Sequence, residues 1–175
     1  MTAGLEESAR LAGSHCWSER RMFEILGGWV ASTGETGVKL MLDRHSQNHA
    51  WRAGQWWDRL PVLADMDRDG LVRAPAPAAE EAMGLLEETV DTVERLAGAY
   101  RFAIPRMFAA YGHHRAVANP VSDGSALRTL NLAGSDLASD WGEGEVALQG
   151  LLTSAAETER AAGTVARLER LLVVG

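Results

Sequence analysis

The stretch Arg44-His45-Ser46-Gln47-Asn48-His49-Ala50-Trp51-Arg52 decides the reading of this chain. His45 and His49 stand four apart, so a helix sets both rings on one face. That face continues as Val38, Leu42, His45, His49, Arg52, Trp56 and Leu60, an apolar stripe with three polar members. A helix over about 35–60 follows, ended by Pro61. Two inward histidines one turn apart share a metal, serve as acid or base, or are core histidines bonded to their neighbours.

Working outward, residues 3–32 carry apolar or small residues at Leu5, Ala9, Ala12, Cys16, Phe23, Leu26 and Val30, a second amphipathic helix. Glu19 falls on its inner stripe. A buried lone carboxylate is costly unless paired. Arg52, one turn beyond His49, is the partner in reach. A Glu19–His49–Arg52 cluster is then either a satisfied polar group in the core or an acid–base site.

Residues 65–77 read as a loop. A third helix runs from Pro77 to about Tyr111, with Leu86, Val90, Val93, Ala97, Tyr100, Ile104 and Phe108 inward and a kink at Pro105. Residues 112–124 are irregular and hold His113 and His114, which suit a helix C-terminus. A fourth helix begins near Ser125 with Leu127, Leu130, Gly134, Ala138 and Trp141 inward, bending at Gly142–Gly144. An amphipathic stretch over about 145–173 closes the chain. No segment has a β period, so the expected class is all-α, one domain, with a core over about 3–141.

Composition narrows the function. The 175 residues carry 24 Asp and Glu against 17 Lys and Arg, a formal charge of −7, which argues against nucleic acid or an anionic membrane as partner. Cys16 is the only cysteine, so there is no disulfide framework and no multi-cysteine zinc site. It reads as an inert buried thiol. No apolar run reaches 18 residues, and residues 1–10 lack the pattern of a signal peptide, so a cytoplasmic location is expected. Asp65-x-Asp67-x-Asp69-Gly70 imitates an EF-hand, but Ala76 stands where the bidentate Glu is needed, and the segment reads as a solvated loop. There is no phosphate-binding loop and no nucleophile elbow.

Ile25-Leu26-Gly27-Gly28-Trp29, then the runs Glu35 to Lys39 and Asp43-Arg44-His45 to His49-Ala50, then Arg59-Leu60-Pro61, resemble the first helical pair of ferritin-like proteins. Tyr100, Pro105, Tyr111 and Asp123 resemble the second pair, and the likeness spans about residues 9–152. It implies an up-down four-helix bundle with a C-terminal helical extension. Ferritin-like di-metal proteins take a Glu from each of two helices and Glu-x-x-His from each of the other two. Here Ser46 stands three before His49, and Ser135 and Ala138 stand where Glu and His belong. The resemblance therefore implies a member that has lost its di-metal centre. No cofactor is expected; a single iron or manganese on Glu19, His45 and His49 is the alternative.

Small residues in place of ligands leave room between helices, and bundle interiors take small molecules. The leading expectation is a metal-free or metal-poor protein that binds a small organic molecule there, with cofactor-independent acid–base catalysis. Glu19 or His49 is the acid or base, Arg52 orients an anion and Tyr100 donates a hydrogen bond. His45, Ser135, Trp56 and Trp141 line the pocket. Trp51 and Trp57 fall at a helix seam or a dimer surface, and a homodimer is expected. The competing readings are a non-catalytic dimeric interaction protein and a residual metal-dependent oxidase or oxygenase.

Overall fold

In the computed structural model the described residues, 4–63 and 66–173, form helices and no strand. The first helix, α1 (Leu5–Val30), has Glu6 and Glu7 in its first turn, where the helix dipole favours them. It ends where the Thr33 hydroxyl donates to the Trp29 carbonyl at 2.8 Å, satisfying an acceptor that the helix leaves open. Helix α2 (Thr36–Trp57) lies antiparallel along α1 over its whole length. Every residue of its expected stripe is buried, from Val38 through Trp56 to Leu60.

Between α2 and the next long helix the chain is not all loop. Asp67 accepts from the backbone N–H groups of Asp69 and Gly70, and so caps the short helix α3 (Arg68–Leu71). The EF-hand imitation is thereby used as a helix cap, and Asp65 lies outside the described residues. Helix α3 packs closely on α1: a Cβ on Gly13 would stand 2.1 Å from the Leu71 carbonyl oxygen.

The single helix expected from Pro77 to Tyr111 is divided. Helix α4 (Pro77–Glu87) stops, and α5 (Thr92–Ala97) begins afresh, because the Asp91 carboxylate accepts from the Glu94 N–H at 3.1 Å. Val90 sits in the break, 80% exposed rather than in the stripe. Helix α5 runs into a π-helical turn (Gly98–Ala103) and then α6 (Ile104–Val117). Pro105 lacks the N–H that would close the preceding turn, and the wider turn absorbs that loss in place of a simple kink. Helix α6 also extends through His113 and His114, which were expected in irregular chain.

Helix α7 (Gly124–Leu151) passes through Gly142 and Gly144 without interruption. The break comes later: Ser154 Oγ accepts from the Glu157 N–H while the Glu157 carboxylate accepts from the Thr153 N–H at 2.8 Å, starting α8 (Ala155–Val173). Helix α8 packs on α4, α5 and the π-helical turn of its own chain. One apolar core, with Met22, Ile25, Leu26, Leu42, Leu96, Ile104, Leu130 and Leu137 at its centre, joins these elements. Among the described residues no helix is long and apolar enough to cross a membrane.

Candidate functional site: a buried polar cluster

Glu19, His49 and Arg52 meet in the middle of the core, and none of the three has any exposed surface. Helix α1 supplies the carboxylate and α2 the other two, one turn apart. His49 Nδ1 lies 2.5 Å from Glu19 Oε2, and Arg52 Nε reaches the same oxygen at 3.1 Å. Tyr111 of α6 donates its hydroxyl to Glu19 Oε1 and accepts from the Trp56 indole N–H at 2.9 Å. Burial would raise the Glu19 carboxyl, but its neighbours His49 and Arg52, with the hydrogen bonds donated by His49 and Tyr111, outweigh it and hold the group below its ordinary value. Burial and the Glu19 charge together push the Tyr111 phenol well up, so it stays protonated and donates.

An ionised carboxylate only accepts, so the proton on the Glu19–His49 bond belongs to His49 Nδ1. In the neutral ring this leaves Nε2 as a lone pair. His49 Nε2 and Arg52 Nη2 are both buried without a hydrogen-bond partner among the described residues. In a buried cluster such atoms are rare and call for a cause.

The other side of Arg52 faces α7. Its Nη1 donates to Asp140 Oδ2 at 2.9 Å and to Asp136. Burial opposes the guanidinium charge, but Glu19 and Asp140 outweigh it and raise its pKa further. Asn48 holds the second Asp140 oxygen at 2.8 Å. Asp140 is buried, whereas the Asp136 carboxylate is partly exposed and carries the cluster to the surface between α2 and α7.

His45 is placed in the same core but spends both ring nitrogens elsewhere. Nδ1 lies 2.7 Å from the Tyr100 hydroxyl, and Nε2 lies 3.3 Å from Glu143 Oε2 and 3.6 Å from Asp140 Oδ1. Since the carboxylates accept, Nε2 donates and Nδ1 accepts from Tyr100. His45 therefore has no lone pair to share with His49, and among the described residues no group of three His, Cys, Asp or Glu side chains is arranged to hold a metal ion.

Two expected pocket residues are misplaced. Ser135 is exposed, and Trp141 is 41% exposed, its indole N–H donating to the Tyr100 carbonyl at 2.9 Å. Trp141 thus ties down a carbonyl of the π-helical turn instead of walling a cavity. The inner face of α7 is Thr129, Leu130, Ala133, Leu137, Asp140, Gly144 and Leu148; it keeps Leu130, and from Ala133 on it lies one position before the expected stripe. Ala138 is exposed for the same reason. Trp56 is buried, and its partner is the Tyr111 hydroxyl.

Asp136, Asp140, Asn48 and Glu143 were not expected in the site, and Tyr111 was expected only as part of the ferritin-like likeness. The signal for the first two was present: an acidic pair four apart on one face of the helix, and a buried arginine that one carboxylate leaves half-satisfied. His15 and His114 form a second buried pair at 3.0 Å, packed on Trp56. Burial, helped by the neighbouring His114, pushes His15 down to about 3.

In comparisons with known proteins, no family model, no curated protein and no solved structure matches the chain.

Proposed function

We propose that this chain is a ferritin-like helical bundle whose interior holds an acid–base site for a small polar molecule, with His49 as base. The single observation that carries this reading is the pair of partnerless buried atoms, His49 Nε2 and Arg52 Nη2, on either side of an ionised Glu19. A cluster built for stability alone would close on itself. This one leaves open one lone pair and both N–H groups of one guanidinium nitrogen.

The chemistry follows from that donor set. Glu19 has no free lone pair in good geometry, since His49, Arg52 and Tyr111 all donate to it. It acts as the orienting carboxylate, fixing the His49 tautomer and stabilising the imidazolium that forms when Nε2 takes a proton. Arg52 Nη2 faces the negative charge that proton removal creates on a carbonyl or carboxylate. Proton abstraction next to a carbonyl, as in an isomerisation or elimination, fits this pair.

What supports the bundle assignment is the convergence of α1, α2, the α5–α6 run and α7 on one polar cluster. The di-metal ligand set of that superfamily does not fit. Glu19, Asp136 and Asp140 converge on the fixed charge of Arg52, which does the neutralising a metal would do and repels a cation beside it.

The second reading, a non-catalytic interaction protein, is favoured by the complete burial of the cluster. A titration with formate, acetate and pyruvate, followed by NMR of the His49 ring and the Arg52 side chain, separates the two. Saturable shifts in the native chain that vanish in His49→Gln support the site. No shift with any probe leaves the cluster structural.

A further inference from the structure

We propose that the outer face of α2 is the seat of a two-fold, antiparallel pairing with a second copy of this chain, centred on Trp51. Leu40, Arg44, Gln47, Trp51, Gly54 and Asp58 recur at alternating spacings of four and three, and all six are exposed. Positions at that spacing share one face of the helix, the face on which a second helix can lie. Leu40 is 63% exposed and Trp51 50%, so the seam leaves two large apolar side chains without cover. Phe23 of α1 flanks Trp51 across a cleft of about 510 Å³.

The order of charges along the seam selects the occupant. Arg44 lies seven before Trp51 and Asp58 seven after it, so cation, aromatic and anion stand in one line. A two-fold axis near Trp51 turns that line onto itself. Arg44 of each copy is then brought within a turn of Asp58 of the other, and Trp51 lies over Gly54, where nothing crowds an added atom. A self-complementary face of this kind is what an isologous dimer requires. Arg44 already meets Glu143 of its own chain, and its guanidinium fork has further N–H groups to offer. A parallel pairing sets Arg44 against Arg44 and Asp58 against Asp58, which excludes it on charge.

Sedimentation velocity on the full chain across the micromolar range tests this. The native chain is expected to dimerise, and Trp51→Glu to raise the dissociation constant by roughly 30-fold or more, as at an interface hot spot. Asp58→Arg alone weakens the dimer, and Asp58→Arg with Arg44→Asp restores it, because the swapped charges meet again across the axis. Circular dichroism checks that each variant keeps its helices; the substituted positions are exposed, so loss of fold is not expected. A native chain that stays monomeric overturns the proposal. A dimer indifferent to Trp51→Glu, or a double variant no better than the single one, overturns it equally.

Discussion

The Arg52 guanidinium meets Glu19 through Nε at 3.1 Å, in a place where neither side chain touches solvent. Removing Arg52 leaves the buried Glu19 and Asp140 carboxylates without their shared cation, at a cost of about 3–5 kcal/mol. Arg52→Met is therefore expected to destabilise the chain by that amount in urea denaturation. Adding Glu19→Gln to Arg52→Met is expected to recover part of the loss, since the stranded carboxylate goes with it. Fully additive losses in that cycle would show the pair to be uncoupled.

Stability is expected to fall as pH drops from 7 towards 3. His15 titrates in the unfolded chain near its ordinary value of 6.5 but in the folded chain only at about 3. The unfolded state therefore binds the extra proton between those values, and stability present above about 6.5 is lost at up to roughly 1.4 kcal/mol per pH unit. Glu19, held below its ordinary value, works in the same direction at the acid end: its contribution is present above the unfolded carboxylate value and disappears as pH falls through the folded one. Denaturation midpoints at pH 7, 6 and 5 for the native chain and His15→Gln check this. The variant should show a shallower slope over that range, and parallel slopes would contradict it.

The elements read correctly from the sequence are those whose stripe is set by large apolar residues. Helix α2 carries Val38, Leu42, Trp56 and Leu60 at regular spacing, and its three polar members followed them inward. The Glu19–His49–Arg52 contact was legible because each of the three broke an apolar stripe and could be matched to the others. Helix α7 was not legible in the same way. Its small residues, Ala133, Gly134, Ala138, Gly142 and Gly144, give almost no hydrophobic contrast, so Trp141 pulled the expected face one position round. The real inner face is fixed by tertiary demands: the charge of Arg52 draws in Asp136 and Asp140, and the Tyr100 ring needs the space over Gly144. The division at Val90 was hidden because an exposed valine fits a helical period as well as a buried one.

Two glycines two residues apart in α7 are expected to respond oppositely to alanine. A Cβ on Gly144 would stand 2.1 Å from the Tyr100 ring, and nothing lies within 4 Å of one on Gly142. Gly142→Ala gains helix propensity, about 0.5–1 kcal/mol. Gly144→Ala gains the same but drives Tyr100 off its place, at a cost of about 1–3 kcal/mol, and with it the bond to His45. Thermal unfolding of the two variants side by side should raise the midpoint for Gly142→Ala and lower it for Gly144→Ala. Equal midpoints would mean that Tyr100 moves aside freely.

The tautomer of His49 bears most directly on the chemistry. Glu19 accepts at 2.5 Å, so the ring proton is expected on Nδ1, the less common tautomer of a free neutral histidine side chain. Nitrogen-15 NMR distinguishes a protonated from a bare ring nitrogen, and the bare one should be Nε2. Replacing Glu19 by Gln keeps the shape but removes the charge that fixes this arrangement, and the ring should revert toward the Nε2–H form. A native ring protonated only at Nε2 would place the lone pair against Glu19, where two acceptors face one another, and would remove His49 as a base. A doubly protonated ring at neutral pH would instead make the site a donor pair with Arg52 Nη2, suited to holding an anion rather than to taking a proton from one.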